Sequence, residues 1–312
     1  MDRAAGCAAD RPATLETDRS GLVTLFNELI TENPLAFLAL RMLLVAGFVV
    51  LVAWMAERAG PFLGAMVASL PLYTGPVYLM LALQHDAGWL AQATLGSIAI
   101  CGISPLFVLA YCVLAMRHGM ALSLGCAVLV WCIGAVAVQG VAWSLGAALL
   151  FVAPIYAVAV GLARGFTRGI AVPRAERRWT DLLLRAAMVA ILSGFTIWVS
   201  GFVPPQIAGV LSVAPILTTS LVLVLHPRIG GRATAALLAH TLAGLVGMVL
   251  AFALVHSTIG TLGVFPALAL GLAVTLVWNL MLIAISRPRA PGTTARQLSA
   301  SSALPIVRRR HT

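Results

Sequence analysis

The chain of 312 residues contains no lysine at all; its twenty basic residues other than histidine are arginine. Charge of either sign is scarce, at 10% of residues, with ten acidic side chains in total. Soluble domains carry about 25% charged residues, so an ordinary water-exposed fold is excluded. We read the missing lysine as compositional bias, not chemistry. Cysteine is sparse too, and Cys7, Cys101, Cys112, Cys126 and Cys132 show no C-x-x-C or Cys/His spacing. Neither a disulfide framework nor a metal site is predicted, and no cofactor is expected. G-x-S-x-G, H-E-x-x-H, paired intramembrane aspartates and a phosphate-cradling glycine loop with lysine are also missing, so the chain is not expected to be an enzyme.

What it has in quantity is apolar surface: 61% apolar residues and a mean hydropathy of +1.01. Nine apolar runs stand at 36–56, 61–83, 90–115, 120–139, 142–163, 181–201, 205–225, 233–256 and 261–285. Each is near the roughly 20 residues that span a bilayer as a helix. The fold class expected is an all-α integral membrane protein with about nine transmembrane helices. The fourth and fifth runs, joined at Gln139-Gly140, make two spans with a tight turn.

The net charge of +10 resembles a nucleic-acid signal, but the arginines sit between apolar runs. Connectors after odd-numbered spans hold Arg58, Arg117, Arg164, Arg168, Arg174, Arg177, Arg178, Arg228 and Arg232, and the tail adds Arg287, Arg289, Arg296 and Arg308–Arg310. Connectors after even-numbered spans (HDAGW, QG, FVPPQ, HSTIG) hold none. The positive-inside rule then predicts a multi-pass membrane protein, with the C-terminus cytoplasmic and the N-terminus outside. Membrane lipids are the expected partners, nucleic acid is not, and a homo-oligomer is left open.

Six of the ten acidic residues lie within 1–35, where no apolar stretch follows a basic start, so no cleavable signal is predicted. Leu22, Leu25, Phe26 and Leu29 share one helical face, which suits a short helix on the membrane surface or on the protein's own loops. The organisation expected is a polar tail (1–35), a first membrane repeat (36–140), a linking span (141–163), an arginine-rich loop (164–180), a second repeat (181–286) and a disordered basic tail (287–312).

The repeats are visible directly. Adding 144 to the residue number lays Arg41 on Arg185, Trp54 on Trp198, Pro61 on Pro205, Pro71 on Pro215 and Thr74 on Thr218. Further on, ALSLGCAVLVW (Ala121–Trp131) matches ALALGLAVTLVW (Ala267–Trp278) once Thr275 is treated as an insertion. Colinear Arg, Trp and Pro are rare coincidences in apolar sequence, so the chain reads as an internal duplication. With one span between the copies, the second enters the membrane from the opposite side, and the repeats are inverted.

Both copies carry a proline inside the second span. Proline there removes one backbone hydrogen bond and costs about 3 kcal/mol unless compensated. In hydrocarbon the freed carbonyls need partners, so such a break lines a cavity or is filled by a neighbouring helix. A substrate site is expected where the breaks meet, lined by Pro71, Thr74, Gly75, Pro215, Thr218 and Thr219. His240 is the one deeply placed ionisable residue; it is a candidate for ion coupling, although a hydrogen-bonded structural histidine is the better expectation. Arg41 and Arg185 lie about one turn inside their spans, within snorkelling reach of headgroups. Trp54 and Trp198 suit the aromatic belt, and Trp131 and Trp278 suit packing positions.

Span two with its flanks and the ALSLGCAVLVW block resembles the small four-span inner-membrane proteins of the GlpM type. The pattern AG-x(5)-P stands at Ala208-Gly209 to Pro215, and its counterpart at Gly64-Ala65 to Pro71. The resemblance implies two fused units around a linking span, in a bacterial inner membrane; it carries over no substrate, cofactor or catalytic residue. The function expected is transport of a small solute through the repeat interface, with a non-transporting accessory or scaffold as the alternative.

Overall fold

The computed structural model of the protein describes residues 74–168 and 179–286, together with 39, 40, 42–44 and 47. Residues 39, 40, 42–44 and 47 are helical, no strand occurs among the described residues, and ten helices follow from residue 74: α1 (Thr74–Ala82), α2 (Ala87–Cys101), α3 (Ser104–Ala115), α4 (Met120–Gln139), α5 (Leu145–Thr167), α6 (Trp179–Val199), α7 (Pro205–Ser212), α8 (Ile216–Ile229), α9 (Gly231–Leu262) and α10 (Val264–Ser286). Six stretches are long and apolar enough to cross a membrane: Ala87–Ala115, Met120–Gln139, Leu145–Thr167, Pro205–Ile229, Gly231–Leu262 and Val264–Leu282. The chain is therefore helical and compatible with a multi-pass membrane protein. Both tails, most of the first span, the start of the second with Pro71, and the middle of the arginine-rich loop lie outside the described residues.

Two boundaries differ from those read in the sequence. The third apolar run is not one continuous helix but divides into α2 and α3 at Gly102–Ile103, just before Pro105, which sits in the first turn of α3. Its missing N–H costs nothing there, because the first-turn donors have no partner within the helix. The eighth span runs past 256, and HST of the expected connector is helical. Its hydroxyls fold back onto the helix, Ser257 Oγ to the Ala253 carbonyl at 2.8 Å and Thr258 Oγ1 to that of Leu254 at 2.8 Å. Polar side chains so satisfied do not interrupt an apolar helix. The helix stops only at Gly263, whose φ of 83° few other residues adopt.

Helices α2 and α9 form the centre. Helix α9 packs on α10, α2, α5, α3 and α8, while α2 packs on α7, α5 and α4. Outer helices show what they face: on α4, Leu122, Leu129, Ile133 and Val136 are exposed, while Ser123, Ala127, Trp131 and Val138 on the other side are buried. An apolar stripe turned outward is stable in lipid, not in water.

The bundle has two unlike ends. At one, the turns around His85 and Ser200 and the last turns of α9 come together. His85 Nε2 is 3.1 Å from Ser200 Oγ, Gln206 Nε2 donates to Gln92 Oε1 at 3.0 Å, and His256 Nδ1 donates to the Ala91 carbonyl at 2.9 Å. No arginine occurs there among the described residues. The other end gathers Arg117, Arg164, Arg168, Arg228 and Arg232, and Arg228 holds Asp181 of α6 through two bonds of 2.6 and 2.7 Å.

Candidate functional site

The broken span supplies the site. Helix α7 ends at Ser212, and α8 starts at Ile216 after Pro215. Within the break, the Ala214 N–H turns back to the Leu211 carbonyl (3.1 Å) and the Ile216 N–H to that of Ala214 (2.7 Å). The carbonyls of Gly209 and Ser212 thereby lose the donors a continuous helix would give them.

Hydroxyl groups replace those donors. Ser97 Oγ of α2 donates to the Gly209 carbonyl at 2.8 Å, and Ser212 Oγ to the same oxygen at 2.7 Å. Thr74 Oγ1 of α1 donates to the Ser212 carbonyl at 3.2 Å. Tyr78 Oη stands 2.7 Å from Ser97 Oγ, and Ser97 Oγ 3.3 Å from Ser212 Oγ. All four side chains are buried. Counting protons assigns the roles: each serine hydrogen goes to Gly209, so Tyr78 must donate to Ser97. Every hydroxyl hydrogen of the cluster is thereby used within it, so it has no donor left over.

Glycine brings these groups within reach. A methyl group on Gly96 would run into the Gln206 carbonyl oxygen, and one on Gly209 into that of Ala93. Helices α2 and α7 thus cross backbone to backbone, as small residues allow in membranes. Ser97, next to Gly96, is placed by that crossing. From the cluster, α1 runs toward the His85 end and α8 toward the Arg228 end.

Of the expected residues, Thr74 and the Pro215 break do meet. Thr218 and Thr219 lie half-buried in the first turn of α8, where the Thr219 N–H bonds the Pro215 carbonyl (2.8 Å), and neither joins the hydroxyl cluster. Gly75 is exposed, with open space where its side chain would be. Pro71 lies outside the described residues. His240 is exposed on α9 and has no hydrogen bond among the described residues, in place of the bonded structural histidine expected. Trp198 is exposed beside Phe202 (ring centroids 5.4 Å apart), as suits a belt position. Trp278 Nε1 donates to the Ala243 carbonyl at 2.8 Å and packs on Gly247, whereas Trp131 is buried and its N–H has no partner among the described residues. Side chains of Arg41 and Arg185 are outside the described set, as is Trp54.

Tyr78, Ser97 and Ser212 were not singled out in the sequence, yet two of them left a signal. Tyr78 falls four residues after Thr74, on the same helical face, and Ser212 stands three before Pro215. Outside the spans, His85 stacks on Trp89 at 3.7 Å, and burial lowers its pKa, partly opposed by the Asp86 carboxylate. Among the described residues no cluster of His, Cys, Asp and Glu could hold a metal ion. No protein-family model matches the chain, and neither a curated protein nor a solved structure is similar to it at a significant level.

Proposed function

We propose that the chain is a permease for a small neutral polar solute, built from two inverted four-span repeats of GlpM-like type around a linking span. The carrying observation is the buried cluster of Thr74, Tyr78, Ser97 and Ser212 beside the Pro215 break. Its hydroxyl hydrogens are all used internally, which favours a solute that donates hydrogen bonds over an anion. Broken helices meeting inside a bundle are how transporters of inverted-repeat design place their sites.

Two features support the inverted repeat. Helices α1 and α8, which the 144-residue shift aligns, leave the cluster in opposite directions. Their neighbours correspond as well: α1 packs on α10 and α8 on α4, and α4 and α10 carry the second matching block. With the arginine-bearing end cytoplasmic, the chain sits in a bacterial inner membrane.

A specific observation favours the second reading, a non-transporting scaffold: the freed carbonyls are already satisfied by hydroxyls, and α2 touches α7 directly. Solute-driven shrinking and swelling of proteoliposomes separates the two. With a panel of polyols and amides, wild-type vesicles should admit at least one solute faster than empty liposomes. Ser97→Ala and Thr74→Val should slow that entry about tenfold, while Thr218→Val should leave it within about twofold; each hydroxyl is worth roughly 1–1.5 kcal/mol. Wild-type vesicles as tight as empty ones across the panel would leave the scaffold standing.

A further inference from the structure

Helix α3 ends, and α9 begins, in backbone contact: a methyl group on Gly231 would run into the Ala115 carbonyl oxygen. The same junction is fixed by Tyr111 Oη against His226 Nδ1 at 2.6 Å and by Cys112 Sγ donating to the Ala235 carbonyl at 3.3 Å. Arg117, two residues past Ala115, and Arg232, beside Gly231, are therefore held at one mouth. Between them and α5 opens a recess of about 650 Å³. Arg117, His118 and Arg232 form its polar side, and Val113, Met116 and Phe166 its apolar wall. Among the described residues neither arginine has a carboxylate partner, while the nearby Asp181 is held by Arg228.

We infer that this recess binds the phosphodiester headgroup of an anionic phospholipid. Arg117 and Arg232 meet the phosphate, His118 adds a donor, and the wall of Val113, Met116 and Phe166 takes the first methylenes of the acyl chains. Basic pockets between membrane helices, at the arginine-bearing end, are suited to such headgroups. Free phosphate shares the charge chemistry but has nothing to place against the apolar wall. That wall continues the lipid-facing surface of α3, where Val113 is exposed.

The test is native mass spectrometry of the full chain in mild detergent, titrated with phosphatidylglycerol or phosphatidylcholine. Phosphatidylglycerol should bind more tightly than phosphatidylcholine. Arg117→Gln and Arg232→Gln should each weaken it about fivefold, and together about 25-fold. Arg164→Gln, at the same end but outside the recess, should change it less than about twofold. All these side chains are exposed, so the variants should fold. Equal retention of the two lipids, unchanged binding in the double variant, or displacement of phosphatidylglycerol by millimolar inorganic phosphate would each overturn the assignment.

Discussion

Helices α2 and α9 are the two inner helices, and the 144-residue shift pairs them; Gly96 of one falls on His240 of the other. In α2 that position is pressed against the backbone of α7, whereas in α9 it is an exposed imidazole. Helix α9 meets backbone at its first residue, Gly231 against the Ala115 carbonyl; along its middle the close contacts of its glycines are through side chains, with the Trp278 ring over Gly247 and Asn279 beside Gly244. Prolines, arginines and tryptophans can thus recur at one spacing while the approach of each helix pair is set by single side-chain volumes. Only where Gly96 admits α7 does a serine on the inner helix reach the carbonyls of a broken span.

The hardest blow to that contrast is Gly96→Leu or Gly209→Leu. Either should force α7 off α2 and cost about 3 kcal/mol or more, at the upper end of overpacking effects. Thermal melting in detergent should show it, while Gly75→Leu, facing open space, should melt within a few degrees of wild type; equal melting of all three would refute the backbone crossing. On the α9 side, a methyl group on Gly247 would lie 2.7 Å from Trp278 Cδ1, and a ring can swing aside. Gly247→Ala should therefore cost only about 1–2 kcal/mol. Much of that loss should return in the double variant with Trp278→Leu, and strict additivity would show that the two do not touch.

A finer test concerns the cluster. Ser97→Ala removes the acceptor of Tyr78 and one donor to Gly209, which should cost about 1–2 kcal/mol. Tyr78→Phe should cost less in the Ser97→Ala background than alone, because their shared bond is already gone. The smallest effect belongs to the turn between α1 and α2. Above the ordinary histidine pKa of 6.5, His85 is neutral in folded and unfolded chains, and its contribution is fully present. As pH falls the unfolded chain takes up the proton first, so stability is lost as pH passes down through the lowered folded value. The melting temperature of wild type should fall more between pH 7.5 and 5 than that of His85→Asn; parallel curves would remove His85 from the account.

Much of the architecture was legible because lipid imposes blunt rules. Apolar length marks the spans, and the arginine asymmetry of the connectors reappears as two unlike ends. Pro215 announced the break through its missing N–H, and Thr74 through the scarcity of hydroxyls beside such breaks. Ser97 was not readable, since its role follows from a glycine crossing that only the tertiary arrangement creates. The side on which His240 falls was hidden for another reason: α9 is apolar all round, so no periodicity tells its outward face from its inward one. Thr218 and Thr219 misled because nearness in sequence to a proline does not say which side of the break supplies free carbonyls.

Eight residues long and bounded by Pro204-Pro205 and Pro215, α7 owes the satisfaction of its last turn to other helices. Were Thr74 to let go, the Ser212 oxygen would be stranded in apolar surroundings, whereas without Ser97 the Gly209 oxygen would keep the Ser212 hydroxyl. Of the two outside contacts, Thr74 is therefore the one whose loss leaves α7 with an unpaired carbonyl.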